Sequence, residues 1–385
     1  MKVLLVGNYV PDGQESMQRF AEMLRGELTI LGHDVHLLRP RAVAAQVGSG
    51  TPTVGKWFGY LDKYVLFPPA LTDAARWADI VHICDQSNAV YLPHVMDKPH
   101  IVTCHDLMAI RGALGEDTDC PASPLGKVLQ RTILERLKRA QVIACDSTKT
   151  REDVERLTGQ ASNTCLVHVG LNYPYCRLGD DRSKALLEGI PGLSAGVPHV
   201  LHVGSSEPRK NRAGVVRIFS KIAGRFPGQL VFAGEALSTD ALSEARELGL
   251  TERIVQVVKP SNPVLNALYC RAHALLFPSK AEGFGWPVIE AQASGCPVVC
   301  TSIEPLLEVS GGAALFNDFA DEEGFAASLI KLNEAPARAS YMKRALRNAQ
   351  KFSAAETALK YSLLYERVHE HSLTSTEPRA SSQSE

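Results

Sequence analysis

Three things are scarce in this chain of 385 residues: charge of one sign, long apolar runs and paired cysteines. Lys and Arg number 41 against 42 for Asp and Glu, a net charge of −1. A protein whose main work is gripping a nucleic-acid backbone shows a basic excess, so no nucleic-acid partner is expected. A local basic pocket stays compatible with that balance. No stretch approaches the ~18 uninterrupted apolar residues of a membrane-spanning helix. The opening Met1-Lys2-Val3-Leu4-Leu5-Val6-Gly7 is too short an apolar run for a signal peptide and reads as a first strand. There is no Asn-x-Ser/Thr sequon and no Cys-x-x-Cys among the 9 cysteines. That pattern suits reduced, buried thiols in a cytoplasmic protein. The 12 histidines form no His-x-x-x-His or His-Glu-x-x-His. No Gly-x-Gly-x-x-Gly follows the first strand, which weakens a dehydrogenase reading.

What is present is ordinary globular composition, with 45% apolar and 22% charged residues. At ~150 residues per domain the length predicts two to three domains. Short Val/Ile/Leu-rich runs recur with little polar alternation, as in strands buried on both faces. In the first half they are 3–6, 35–38, 80–84, 101–104, 142–145 and 166–169. In the second half they are 199–203, 230–233, 254–258, 275–277, 297–301 and 313–316. Helical patterns lie between many of them, at 16–31, 125–140, 214–225 and 263–273. Alternating strand and helix implies parallel α/β sheets, and six strands per half implies two similar domains. The Gly-, Pro- and charge-rich stretch 176–198 has no strand pattern and marks the boundary. The expected domains are 1–180 and 198–352, followed by a helix over 353–371 that returns to the first domain and a frayed Ser/Thr-rich tail over 372–385.

Two such domains make a cleft where the strands end, and ligands of open α/β sheets bind at the carboxyl ends of strands. Two loops there carry chemistry. One reads Gly204-Ser-Ser-Glu-Pro-Arg209-Lys210-Asn211. Arg offers phosphate a planar fork and Lys a point charge, although a solvated turn with surface charges reads equally well from this loop alone. The other runs from Pro278 through Glu282-Gly283-Phe284-Gly285-Trp286-Pro287 to Glu290. Pro287 suits a first helical position. The preceding Gly-Phe-Gly then aims N–H groups at whatever lies before the helix, a ready anion site. Glu290, placed in the first helical turn, could hold a vicinal diol or simply complement the helix dipole. Glu282 in the loop could hold a hydroxyl-rich group.

The segment 282–297, EGFGWPVIEAQASGCP with its Glu-x7-Glu spacing, resembles the retaining glycosyltransferases of the GT-B fold, the large family 4 of nucleotide-sugar enzymes. GSSEPRKN (204–211) resembles that family's phosphate loop, IVTCHD (101–106) its His-Asp loop, and 14–38 its first βαβ unit. The resemblance spans about residues 1–370. It implies an α/β GT-B architecture, two Rossmann-like parallel-sheet domains facing a central cleft. It implies a retaining hexosyltransferase using a UDP- or GDP-sugar and a glycan or lipid-linked acceptor, in cell-surface polysaccharide or glycoconjugate synthesis. Arg209 and Lys210 would contact the donor diphosphate and Glu282 the transferred sugar, with backbone N–H groups of Phe284 and Gly285 nearby. Gly204 and Gly283 would lie at the donor, and Glu290 would accept the ribose hydroxyls. His105 would sit beside the reacting carbon, with Gly7 and Asp106 on the acceptor-side loops. With two cations for the leaving group, neither a metal nor a cofactor is required. Two departures from the family pattern are Gly7-Asn8-Tyr9, where a Gly-Gly pair is common, and Trp286, where a smaller aliphatic is common.

Other readings stand beside this one. A nucleotide-sugar epimerase or hydrolase could use the same scaffold, as could a non-catalytic nucleotide-sugar binder. Asp117-Thr-Asp119 spells a metal motif but lies in a Gly/Pro-rich loop of the wrong domain. The segment 50–56 nearly spells a P-loop, but Trp57 stands at the Ser/Thr position and no strand precedes it. The aromatics Trp57, Phe58, Tyr60, Tyr64 and Phe67 read first as a helical core stripe and second as an acceptor or lipid contact. The helix with Lys127, Arg131, Arg136, Lys138 and Arg139 reads first as packed with a solvated face. Its second reading is a peripheral contact at the inner face of a membrane.

Overall fold

The computed structural model describes residues 1–47, 52–194 and 196–376, with the backbone alone at 46, 47, 52–56 and 373–376. The chain forms two compact units, Met1–Asn172 together with the chain from Ala354 on, and Tyr173–Ser353.

The first unit is built on six strands: β1 (Lys2–Val6), β2 (Asp34–Leu38), β3 (Ile80–Ile83), β4 (His100–Cys104), β5 (Val142–Cys145) and β6 (Thr164–Leu166). All pair in parallel, in the order β2-β1-β3-β4-β5-β6. The apolar runs are continuous because helices cover both faces, and every β3 and β4 residue is buried. The chain winds outward from β1 to β2, then returns to the other side of β1 with β3. The winding therefore reverses at β1 and β3.

The second unit carries β7 (His199–Gly204), β8 (Gln229–Gly234), β9 (Ile254–Val258), β10 (Ala272–Phe277), β11 (Val298–Thr301) and β12 (Leu315–Asn317). They are again parallel, in the order β12-β11-β10-β7-β8-β9. Winding runs outward from β7 to β9, then starts again at β10 on the opposite side of β7. Ligands of such sheets bind outside the carboxyl ends at the reversal. In this unit those ends lead into the loops after Gly204 and after Phe277.

The helix Ala354–Thr376 packs in the first unit, against helix Glu15–Ile30. A hydrogen-bonded chain ties it to the sheet. His82 Nδ1 lies 2.6 Å from the Tyr365 hydroxyl and its Nε2 2.7 Å from Thr103 Oγ1, which lies 2.7 Å from the Tyr361 hydroxyl. All four side chains are buried, so each polar atom needs a partner inside the protein. His33 Nε2 adds a contact of 2.8 Å to Ser362 Oγ.

The structure corrects several expectations. The units divide between Asn172 and Tyr173 rather than within 176–198, and that stretch belongs to the second unit, where its helix Asp180–Leu187 packs on helix Asn262–Arg271. Its charge reads as a solvated helix face, with Asp180 and Asp181 at the first turn where the dipole favours them. The sixth strand begins at Thr164, two residues before the start expected for it, and the twelfth at Leu315, two residues after. The tail expected over 372–385 is helical to Thr376, and its remainder lies outside the described residues. The P-loop look-alike lies partly outside them as well. The aromatic stripe is only partly core. Phe67 is buried, but Trp57 is 62% exposed, and Leu61, Tyr64, Val65 and Leu66 are exposed beside it. Of the nine cysteines, Cys176 is exposed and Cys120, Cys165 and Cys270 are half-buried.

Burial lowers three histidines far below 6.5: His82 to about 3, His199 to about 4 and His202 to about 3. Each is neutral in the fold, while the unfolded chain binds a proton below its own value near 6.5. Stability is therefore fully present above that value and declines as pH falls through it, by about 1.4 kcal/mol per histidine at about pH 5.5. His105, raised by its carboxylate partner, acts in the opposite direction. Urea unfolding should show a lower midpoint at about pH 5.5 than at about pH 7.5. Equal midpoints would contradict the buried neutral imidazoles.

Candidate functional site

The loops after β7 and β10 meet around one buried carboxylate. Lys210 Nζ donates to Glu282 Oε1 at 2.7 Å and to Oε2 at 2.9 Å. Arg209 donates from one guanidinium nitrogen to Glu282 Oε2 at 2.9 Å and to the Ala281 carbonyl at 3.1 Å. Its other terminal nitrogen reaches Glu207 at 2.6 Å. The backbone joins the same loops, Lys280 N donating to Arg209 O at 2.8 Å. Lys210 also lies over the Phe277 ring, 5.1 Å from its centroid.

The electrostatics follow from burial. Dehydration pulls Lys210 below its usual value, opposed by Glu282. Burial would raise Glu282, but the charges of Lys210 and Arg209 outweigh it and hold the carboxyl below its ordinary value. Glu207 is half exposed, so water screens it. Inside the protein the cluster is two cations to one carboxylate. That excess of positive charge at the winding reversal is suited to an anion.

Helix Trp286–Ala293 begins directly after this cluster. Its cap Gly285 has φ of 105°, and a Cβ there would come within 2.6 Å of Leu306 Cδ2, so only glycine fits. Pro287 is the second residue of the helix. Glu290 lies in the second turn, one turn later than its expected place. Phe284 is buried, edge-on to Trp286 and Phe352. Gly283 bridges Glu282 to Phe284. A Cβ at Gly204 would meet the Lys210 stem at 3.5 Å, an ordinary contact, so sterics alone do not demand glycine there. Glu290 is buried, with the Tyr269 hydroxyl donating to its Oε2 at 2.9 Å. The structure thus brings Arg209, Lys210 and Glu282 into one cluster and seats Glu290 on the helix that follows.

The remaining predicted residues lie in the first unit. Gly7 ends β1 against Arg39 and Leu37, where a Cβ would come within 2.9 Å of Arg39 Nε. Beside it Asn8 donates to Asp85 at 2.6 Å and accepts from Asn88 at 3.2 Å. Asp85 follows β3, so this cluster marks the reversal of the first sheet. Asp106 Oδ1 accepts from Met108 N at 2.9 Å, at the start of helix Met108–Ala113. His105 is buried, and its ring is held at both nitrogens. Nε2 lies 3.0 Å from the Cys84 carbonyl, which can only accept, and Nδ1 lies 3.1 Å from Asp146 Oδ2. Burial would strip the imidazolium of its proton, but Asp146 raises His105 above its usual value. Burial pushes Asp146 itself up to about 6.

Sequence reasoning missed Asp146, Tyr269 and the Asn8/Asp85/Asn88 cluster. Asp85 and Asp146 each follow a strand, and that position was the available signal. Their partners are 77 and 41 residues away, so no local spacing reveals them. Among the described residues, no group of three or more His, Cys, Asp or Glu side chains could hold a metal ion.

Comparison with known proteins covers both units. The family model described as Glycosyltransferase Family 4 matches residues 17–173, and Glycosyl transferases group 1 matches residues 197–334. The chain is 28% identical over 285 residues to O-antigen chain mannosyltransferase B of Escherichia coli, covering 68% of each. It is 26% identical over 287 residues to D-inositol 3-phosphate glycosyltransferase of Corynebacterium aurimucosum, covering 71% of this chain and 67% of the relative. Among solved structures, sucrose-phosphate synthase from Thermosynechococcus elongatus superposes with TM-score 0.75 at 19% identity, over 96% of this chain and 100% of that one. Anabaena Alr3699/HepE, in complex with UDP and glucose, gives TM-score 0.72 at 15% identity over 95% and 100%.

Removing one member of a buried ion pair strands its partner, at a cost of about 3–5 kcal/mol. Lys210→Ala should lower stability by about that amount, and Arg209→Ala by less, because Lys210 still neutralises Glu282. Chemical unfolding of the two variants measures the difference. Equal, negligible losses would show that the cluster is not dry.

Proposed function

This chain belongs to the GT-B glycosyltransferases of group 1, and we propose that it moves a hexose, with retention at the anomeric carbon, from a UDP- or GDP-sugar to a glycan or lipid-linked acceptor. The observation that carries the donor side is the buried cluster of two cations on one carboxylate at the winding reversal of the second sheet. Breaking the bond between sugar and diphosphate builds negative charge on the leaving group. Fixed cations that strengthen their hold as that charge grows lower the barrier. Arg209 and Lys210 supply that charge, so the scheme needs no divalent metal and no cofactor. N–H groups at the start of helix Trp286–Ala293 add to it. Glu282 faces the transferred sugar and Glu290 the ribose. His105, fixed by Asp146, sits beside the reacting carbon, with Gly7 and Asp106 on the acceptor-side loops.

The E. coli relative named an O-antigen chain mannosyltransferase supports a place in cell-surface polysaccharide or glycoconjugate synthesis. The neighbour carrying UDP and glucose supports a nucleotide-sugar donor. Two surfaces of the first unit support work at the inner face of a membrane from the cytoplasm. Trp57, Leu61, Val65 and Leu66 are exposed along one stretch. On helix Pro124–Leu137 the exposed Leu125 and Val128 alternate with the cations Lys127 and Arg131. Apolar side chains between cations suit an anionic bilayer surface. No helix among the described residues is long and apolar enough to cross one.

Incubating UDP- and GDP-hexoses with glycan and lipid-linked acceptors, and reading the new linkage by NMR, tests this reading. Arg209→Ala should lower kcat by roughly 10²–10³-fold. Donor consumption without linkage would instead indicate an epimerase or hydrolase, and tight donor binding without turnover a binding protein. Separately, the protein should float with vesicles of anionic phospholipid and not with zwitterionic ones, and Val128→Asp should weaken that flotation. No flotation with either removes the membrane contact.

A further inference from the structure

Glu290 is one of few acids buried in the second unit, and a carboxylate in such a place needs a donor inside the protein. Tyr269 provides one. It lies on helix Asn262–Arg271, and its hydroxyl donates to Glu290 Oε2 at 2.9 Å. Tyr269 is fully buried, with its ring edge-on to Tyr175 at 6.0 Å, so the phenol cannot swing away. One turn earlier on the same helix is Asn266. Ser294 Oγ lies 2.7 Å from Asn266 Oδ1 and 2.8 Å from the Glu290 carbonyl oxygen. The two helices are therefore joined at two successive levels, one of them on the carboxylate itself.

We propose that Tyr269 is a positioning residue that orients the Glu290 carboxylate to accept the vicinal hydroxyls of a ribose, and so makes the site select ribonucleotides over deoxyribonucleotides. This rests on Glu290 being the ribose acceptor, as proposed above. The physical reason is directional. A diol is read by a carboxylate only when the plane of that carboxylate is fixed, because both hydroxyls must donate at once. A free glutamate side chain rotates about its last bond. The Tyr269 hydroxyl holds one oxygen and restricts that rotation, while occupying one of the roughly four lone-pair sites of the carboxylate. The bond is charge-assisted, hence stronger than a neutral one. Burial keeps the Tyr269 hydroxyl protonated far above its usual range, so it remains a donor at every working pH.

Titration calorimetry with UDP and GDP, each beside its 2′,3′-dideoxy analogue, tests the assignment. For whichever base binds the unaltered protein, Tyr269→Phe should weaken the ribonucleotide about tenfold, the loss expected for one charged hydrogen bond. Binding of the dideoxy analogue should stay within about twofold, which also shows that the variant is folded. Glu290→Gln should give the same pattern, and the double variant should lose little more than either single one. If Glu290→Gln discriminates between the sugars but Tyr269→Phe weakens both nucleotides equally, or neither, Tyr269 is merely structural and the inference fails. If Glu290→Gln does not discriminate at all, the ribose assignment of Glu290 fails first.

Discussion

The second unit of this protein depends on one constraint: a carboxylate, Glu282, buried between two cations that come from a different loop. None of the three charges could be buried by itself, since the dehydration cost exceeds what a lone side chain can recover. Together they bind the loop after β7 to the loop after β10, and the bond from Lys280 N to Arg209 O fixes the spacing. A buried ion pair adds little net stability over an apolar contact. What this one adds is position: it fixes where the excess positive charge sits relative to the start of helix Trp286–Ala293. The glycine cap at 285 and the apolar contacts of Phe284 follow from that placement, because the chain must turn sharply from the cluster into the helix.

The two sheets solve similar packing problems with different orders. Both bury continuous apolar strands between helices, and both reverse their winding once, at β1 and β3 in the first sheet and at β7 and β10 in the second. Each reversal collects side chains distant in sequence. In the first unit it joins Asn8 to Asp85 and Asn88; in the second it joins Arg209 and Lys210 to Glu282. The His105 loop, one strand further along, is held differently. Its ring is oriented from both nitrogens, by a carbonyl at the end of β3 and a carboxylate at the end of β5.

The final helix shows why burial and polarity need to be considered together. Tyr361 and Tyr365 are wholly buried, yet each carries a hydroxyl, and His82 and Thr103 are buried in the strands beneath. The four satisfy one another, so the helix has a specific seat as well as an apolar face. The opposite case is the stretch from Trp57 to Leu66. Its aromatics repeat at helical spacing, which suits a core, but Trp57 and Tyr64 are exposed and Phe58 and Tyr60 only half-buried. Periodicity reports that one face differs from the other. It does not report what covers that face.

The sequence by itself determined the local elements and the chemistry of the loops. Twelve apolar runs correspond to twelve strands: burial on both faces leaves a mark in the composition of the central strands, and the partly buried edge strands β2, β6, β9 and β12 carry a weaker form of it. The Arg209-Lys210 pair and the Glu-x7-Glu segment were legible for the same reason: each is contiguous. Tertiary structure decided strand order, which brings β7 beside β10 although some seventy residues separate them. It also decided the partners of every buried polar group, and these were not legible. Asp146 finds His105, Tyr269 finds Glu290 and Tyr365 finds His82 over separations of 41, 21 and 283 residues. A buried hydrogen bond is a property of two positions in space. One sequence, read along its length, shows each donor and acceptor but not which of them will meet.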